Sequence, residues 1–93
     1  MAQLESQLQL TIQQWLKKNN YFTIRMMAVK PSGTPDIVVI TPAGNHVYME
    51  VKTFEGRLSS IQQHIHTKMR GYNLKVHTVR SLEEVKEIMN ATD

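Results

Sequence analysis

Asp36, Glu50 and Lys52 are the residues whose types and spacing suit chemistry on a phosphodiester. The run Gly33-Thr34-Pro35-Asp36 precedes Glu50-Val51-Lys52, and the segment between them reads as one β-hairpin. It consists of an apolar run, Ile37-Val38-Val39-Ile40, a turn at Pro42-Ala43-Gly44-Asn45, and an alternating run from His46 to Lys52. A hairpin returns Glu50 and Lys52 to the end of the sheet where Asp36 begins it. A hard divalent cation takes oxygen ligands, commonly one or two carboxylates completed by water and phosphate oxygens. Asp36 and Glu50 would supply the carboxylates, and the Val51 backbone carbonyl a third protein ligand. Such a cation polarises a phosphate and lowers the pKa of an attacking water. Lys52 would orient that water or offset developing negative charge.

The hairpin's register decides whether this grouping can exist. A four-residue turn over 42–45 pairs Glu50 with Ile37 and sends Asp36 and Glu50 to opposite faces, because side chains alternate with period two. A three- or five-residue loop, or a bulge near Pro35, brings the two acids together. The chemistry therefore predicts a departure from the simplest turn.

Helices and strands around the hairpin must hold it. Residues 3–19 read as an amphipathic helix, with Leu4, Leu8, Ile12, Trp15 and Leu16 as its apolar stripe and Asn19-Asn20 at its end. Glu5 lies in its first turn, where the helix dipole favours an acid. Residues 21–29, rich in β-branched and aromatic side chains, read as a strand. Arg25 on it is either an edge charge that discourages aggregation or a phosphate contact. Residues 30–35 form a loop in which Gly33 permits close backbone approach or positive φ. A second helix runs from about Ser59 to Arg70, with Ser59 or Ser60 as N-cap and Gly71 as C-terminal cap. Its apolar stripe is Leu58, Ile61, Ile65, Met69 and Tyr72, beside a polar row of Gln62, His66 and Arg70. Residues 75–80 read as a fourth strand, and Ser81-Leu-Glu-Glu84 as the capping signature of a last helix over 82–90. The order α-β-β-β-α-β-α predicts an α/β fold with a mixed sheet flanked by helices.

Composition narrows the possibilities. Ninety-three residues make a single domain, 1–93, and 11 Lys and Arg against 8 Asp and Glu give a formal charge of +3. With a pI near 9.4 the chain favours a polyanionic partner. There is no cysteine, hence no disulfide framework and no thiolate zinc site. His64 and His66 lie about 200° apart around a helix and cannot share a zinc ion, and His46 and His77 carry no ligand spacing motif. No glycine-rich phosphate loop appears, so no nucleotide cofactor is expected, and no Gly-x-Ser-x-Gly supports serine hydrolysis. No apolar run approaches the ~20 residues of a membrane span, and the N-terminus does not read as a signal peptide. The expectation is a cytoplasmic protein with no membrane partner, placed in the host cytoplasm if it is viral.

Gly33-x-Pro35-Asp36, a hairpin, Glu50-x-Lys52 and Leu58-Ser59-x-x-Gln62 on a helix together resemble the virus-type replication-repair nuclease family (VRR-NUC) of the PD-(D/E)xK nuclease superfamily. The likeness runs on through Gly71 and Val79-Arg80-Ser81-x-x-Glu84-Val85, in the manner of the family's free-standing viral members. It implies a restriction-endonuclease-like α-β-β-β-α-β core, here with a C-terminal helix. It implies Asp36 and Glu50 as ligands of Mg²⁺ or Mn²⁺, Lys52 as the catalytic lysine and Gln62 as the active-site glutamine. It also makes Glu5 a site member, reaching the metal through a water. Where many relatives have Thr-Pro-Glu before the glutamine, this chain has Ser59-Ser60-Ile61. The implied function is a structure-selective DNA endonuclease acting as a homodimer on branched DNA such as four-way junctions. Arg25, Lys30, Arg57, His66 and Arg70 are its expected DNA contacts. The rivals are an archaeal-type junction resolvase of the same superfamily and a non-catalytic DNA-binding module on a nuclease fold.

Overall fold

A computed structural model describes residues 3–92. The chain runs α1 (Glu5–Lys18), β1 (Phe22–Arg25), β2 (Ile37–Ile40), β3 (His46–Val51), α2 (Ser60–Gly71), β4 (Val76–Val79) and α3 (Leu82–Asn90). The strands form one sheet in the order β1-β2-β3-β4, antiparallel except for the parallel pair β3–β4. That parallel pair requires a crossover, and α2 supplies it. The α/β order expected from the sequence, with its mixed sheet and flanking helices, is the order observed.

Period-two alternation divides the sheet into two faces. Ile37, Val39, Val47, Met49, Val51 and Val79 point one way and are completely buried with Leu8, Ile12 and Leu16 of α1 and Val85 and Met89 of α3. Asp36, Glu50 and Lys52 alternate to the other face, over which α2 packs beside β4.

The helix ends differ in part from expectation. α1 closes as a Schellman motif: Asn20 takes φ 67°, and Tyr21 N–H donates to the Leu16 carbonyl at 3.0 Å. α2 closes in the same way, but Asn73 and not Gly71 takes the left-handed position, at φ 66°. Leu74 N–H donates to Met69 at 3.2 Å, so Gly71 is the last helical residue. Asn tolerates this conformation because its short polar side chain bonds locally. β1 is also shorter than the predicted 21–29. One further bond, Met26 N–H to the Asp36 carbonyl at 2.7 Å, extends the pairing before Ala28 turns to φ 52° and leaves the strand direction.

Candidate active site

The β2–β3 register places Ile37 opposite Met49 and Ile40 opposite His46, leaving a five-residue loop, 41–45, between the strands. Continued by one residue, that register sets Asp36 opposite Glu50, on the same face. The simplest four-residue turn is therefore not adopted. Thr41 N–H donates to the Asn45 carbonyl at 2.8 Å, Gly44 N–H donates to Thr41 at 2.9 Å, and Gly44 sits at φ 90°. Asn45 N–H also donates to the Thr41 hydroxyl at 3.1 Å. A turn followed by a left-handed glycine is a standard way to close an odd-numbered hairpin loop.

Asp36 is held from two sides. Its Oδ2 accepts from Val51 N–H at 3.0 Å and from the Gln9 amide at 3.2 Å. Gln9 in turn accepts from the Arg25 guanidinium at 3.1 Å. Arg25, exposed on the edge strand, thus fixes the Gln9 amide with its N–H group toward the carboxylate. Neither Gln9 nor this relay could be found from local sequence, because the partners are 27 and 16 residues apart.

Glu50 is 2% exposed, and burial pushes its carboxyl up to about 8. A hydrogen bond to Asp36 and the charge of Asp36 add to that shift, the Lys52 ammonium opposes it, and Glu5 adds slightly. Burial disfavours the charged form and the neighbouring acid reinforces it, so Glu50 keeps its proton. Glu50 Oε1 is buried and has no hydrogen-bond partner among the described residues.

His66 is 0% exposed, and its Nε2 lies 3.7 Å from Glu50 Oε1. Burial, followed by the Arg70 charge, holds its pKa below the usual histidine value. With Glu50 protonated and His66 neutral, the contact is polar and not an ion pair. This corrects the expectation of His66 as a DNA contact, since a side chain with no exposed surface offers DNA nothing. The polar row at spacing four groups it with Gln62 and Arg70, but of the three only His66 is buried against the sheet, while Arg70 stays exposed.

The remaining candidates lie on β3, α1 and α2 and in the loops between the elements. Lys52 is half-buried at the end of β3, its N–H bonded to the Val79 carbonyl at 3.0 Å. Val51 is buried beside Asp36. Glu5, exposed at the start of α1, is near enough to act on Glu50 by charge. Gln62 forms a capping box: its Oε1 accepts from Ser59 N–H at 2.9 Å, and its own N–H donates to Ser59 Oγ at 3.2 Å. Ser59, not Ser60, is therefore the N-cap. Gly33, at φ 92°, presses against this first turn, where an added Cβ would lie 2.7 Å from the Ile61 carbonyl. Lys30 and Arg57 are exposed. Arg70 donates through Nε and Nη2 to the Val76 carbonyl, at 3.1 and 2.8 Å, and so braces the start of β4. Arg80, not singled out beyond the family likeness, donates to the carbonyls of Thr53 at 2.7 Å and Gly56 at 2.5 Å. It fixes the loop that follows Lys52.

Among the described residues, no three His, Asp or Glu side chains gather closely enough to hold a metal ion alone. The donor set fits a hard divalent cation that takes two carboxylates from the chain and the rest from water and substrate. A divalent cation bound by these carboxylates would also favour the ionised form of Glu50 that burial and the neighbouring acid now disfavour.

Two solved structures share this architecture. A VRR_NUC domain superposes with a TM-score of 0.83 at 22% identity, covering 96% of this chain and 97% of its own. A VRR_NUC domain protein superposes with a TM-score of 0.82 at 15% identity, covering 99% of this chain and 89% of its own. No protein-family model and no curated protein matches the sequence. The chain has the VRR-NUC fold.

Proposed function

We propose that this chain is a metal-dependent DNA endonuclease that hydrolyses phosphodiester bonds, selects its substrate by shape, and acts as a homodimer on branched DNA such as four-way junctions. The observation that carries the reading is the odd-numbered hairpin loop that sets Asp36 and Glu50 on one face, with Lys52 two residues beyond, in a VRR-NUC fold. Asp36 and Glu50 would hold Mg²⁺ or Mn²⁺, which supplies electrophilic activation of the phosphate and a water of lowered pKa. Within the protein, Val51 N–H and Gln9 hold Asp36 in one orientation. Lys52 brings a positive charge to the carboxylate pair, where it would offset charge developing on the phosphate oxygens. Gln62 keeps its amide N–H group available at the start of α2 while its oxygen caps the helix. Glu5 would act through a water.

Recognition of backbone and shape suits a chain with a formal charge of +3. Arg25, Lys30 and Arg57 are exposed cations for that role. Pairing is supported by apolar side chains left open on and after the edge strand, namely Phe22 at 64% exposure and Met27 at 69%. A two-fold dimer would set two sites against two strands of a junction.

The test is cleavage of branched, single-stranded and duplex DNA with Mg²⁺ or Mn²⁺, beside Asp36→Asn and Lys52→Ala. Lys52→Ala is expected to lower kcat roughly 10²–10³-fold with folding intact. Cleavage unchanged by both substitutions would refute the assignment, and binding without cleavage in either metal would favour a non-catalytic DNA-binding module.

A further inference from the structure

Three buried polar atoms lie together beneath the carboxylate pair without hydrogen-bond partners: Glu50 Oε1, His66 Nδ1 and His66 Nε2. An unmade bond at a buried polar atom costs about 1–3 kcal/mol. A leucine at position 66 would fill the same space between α2 and the sheet without that cost. The chain nevertheless places an imidazole there, completely enclosed, with Nε2 directed at Oε1 from 3.7 Å. The Gly33 backbone also faces the ring, short of good hydrogen-bond geometry. The gap to Oε1 is a few tenths of an ångström more than a hydrogen bond spans.

We propose, resting on the metal-dependent reading above, that His66 is a positioning residue for Glu50: its Nε2–H holds carboxylate oxygen Oε1 and leaves the other oxygen to the cation shared with Asp36. Asp36 is oriented by Val51 and Gln9. Glu50 is hydrogen-bonded to Asp36, but its Oε1 has no hydrogen-bond partner among the described residues, and His66 is the group that approaches it. The two ligands are thus steered from opposite sides, Asp36 by α1 and the backbone of β3, Glu50 by α2. An outer partner that orients a metal-binding carboxylate is commonly worth 10–100-fold in metal affinity. His66 has no exposed surface to offer a substrate, so its effect would pass through Glu50.

The experiment measures Mn²⁺ affinity by electron paramagnetic resonance on the DNA-free protein, with thermal melting as the control for folding. His66→Leu is expected to melt at or above the wild-type temperature and to bind Mn²⁺ about 10–100-fold more weakly. His66→Gln, whose amide N–H reaches about as far as Nε2, is expected to restore affinity to within about threefold, and the shorter His66→Asn to fail. A folded His66→Leu protein that binds Mn²⁺ as tightly as wild type would overturn this role while leaving the nuclease reading intact. A wild-type protein without Mn²⁺ affinity would overturn both. If His66→Leu does not fold, the Gln and Asn variants decide, and equal weakening in both would refute the positioning role.

Discussion

At pH 7 the folded chain keeps a proton on Glu50 that an unfolded chain has already released. The carboxyl is raised from 4.5 to about 8, so its contribution to stability is full below pH 4.5 and is lost as pH climbs through 8. His66 acts in the opposite sense: its pKa is lowered from 6.5, so stability is lost as pH falls below that value. The two oppose each other in mildly acidic solution, and above pH 6.5 the loss from Glu50 stands alone. The metal-free protein is therefore expected to lose up to ~2 kcal/mol between pH 6.5 and 8, which is several degrees of melting temperature for a chain this size. Glu50→Gln should flatten that decline in melts recorded across the range, and saturating Mn²⁺ should remove it in the wild type. An unchanged slope in Glu50→Gln would show that the carboxyl is not the group responsible. At this scale the sequence disclosed the acids and the lysine but not their supports. Asp36, Glu50 and Lys52 announce themselves by type and spacing. Gln9 and His66 are ordinary helix residues until long-range packing brings α1 and α2 against the hairpin.

The helices were legible because amphipathic stripes and caps are local. Leu8, Ile12 and Leu16 recur at helical spacing and are buried together, and Ser81 caps α3 by accepting from Glu84 N–H at 3.2 Å. Gly71 and Asn73 both suit a left-handed position, so local sequence does not place the end of α2; Asn73 takes that position, with Leu74 N–H bonded to the Met69 carbonyl. The two positions give opposite expectations for glycine. Gly71 is helical with nothing within 4 Å of an added Cβ, so Gly71→Ala should gain about 0.5–1 kcal/mol in denaturant melts. Gly33→Ala should cost about 1–3 kcal/mol, because φ 92° and the 2.7 Å approach to Ile61 cannot both be kept. Its damage should concentrate on the docking of α2, seen as hydrogen exchange rising in 60–71 ahead of β2 and β3.

Across the whole molecule the sheet is covered unequally. α1 and α3 bury one face across β2, β3 and β4, whereas α2 sits toward β4 and leaves β1 open. Phe22 and Ile24, which share a face and are 64% and 42% exposed, are the apolar residues a second copy would cover. Sedimentation of the wild type should give twice the 10.7 kDa monomer mass, and Phe22→Lys with Ile24→Lys should return it to the monomer. A wild type that sediments as a monomer would remove the dimer from the proposal. The hairpin loop has a reach of its own. β2 reads Ile-Val-Val-Ile, apolar on both sides, so burial alone does not tell this strand which side to turn. The choice is carried by whether the loop holds an odd or an even number of residues, a one-bit instruction executed at the far end of the strand. Pro42→Thr with Ala43→Asn would offer an Asn-Gly two-residue turn, whose pairing is the even alternative. Such a protein is expected to keep its strand content by circular dichroism and to lose Mn²⁺ affinity. The site would then be silenced from a turn roughly 15 Å away, with every one of its residues still present.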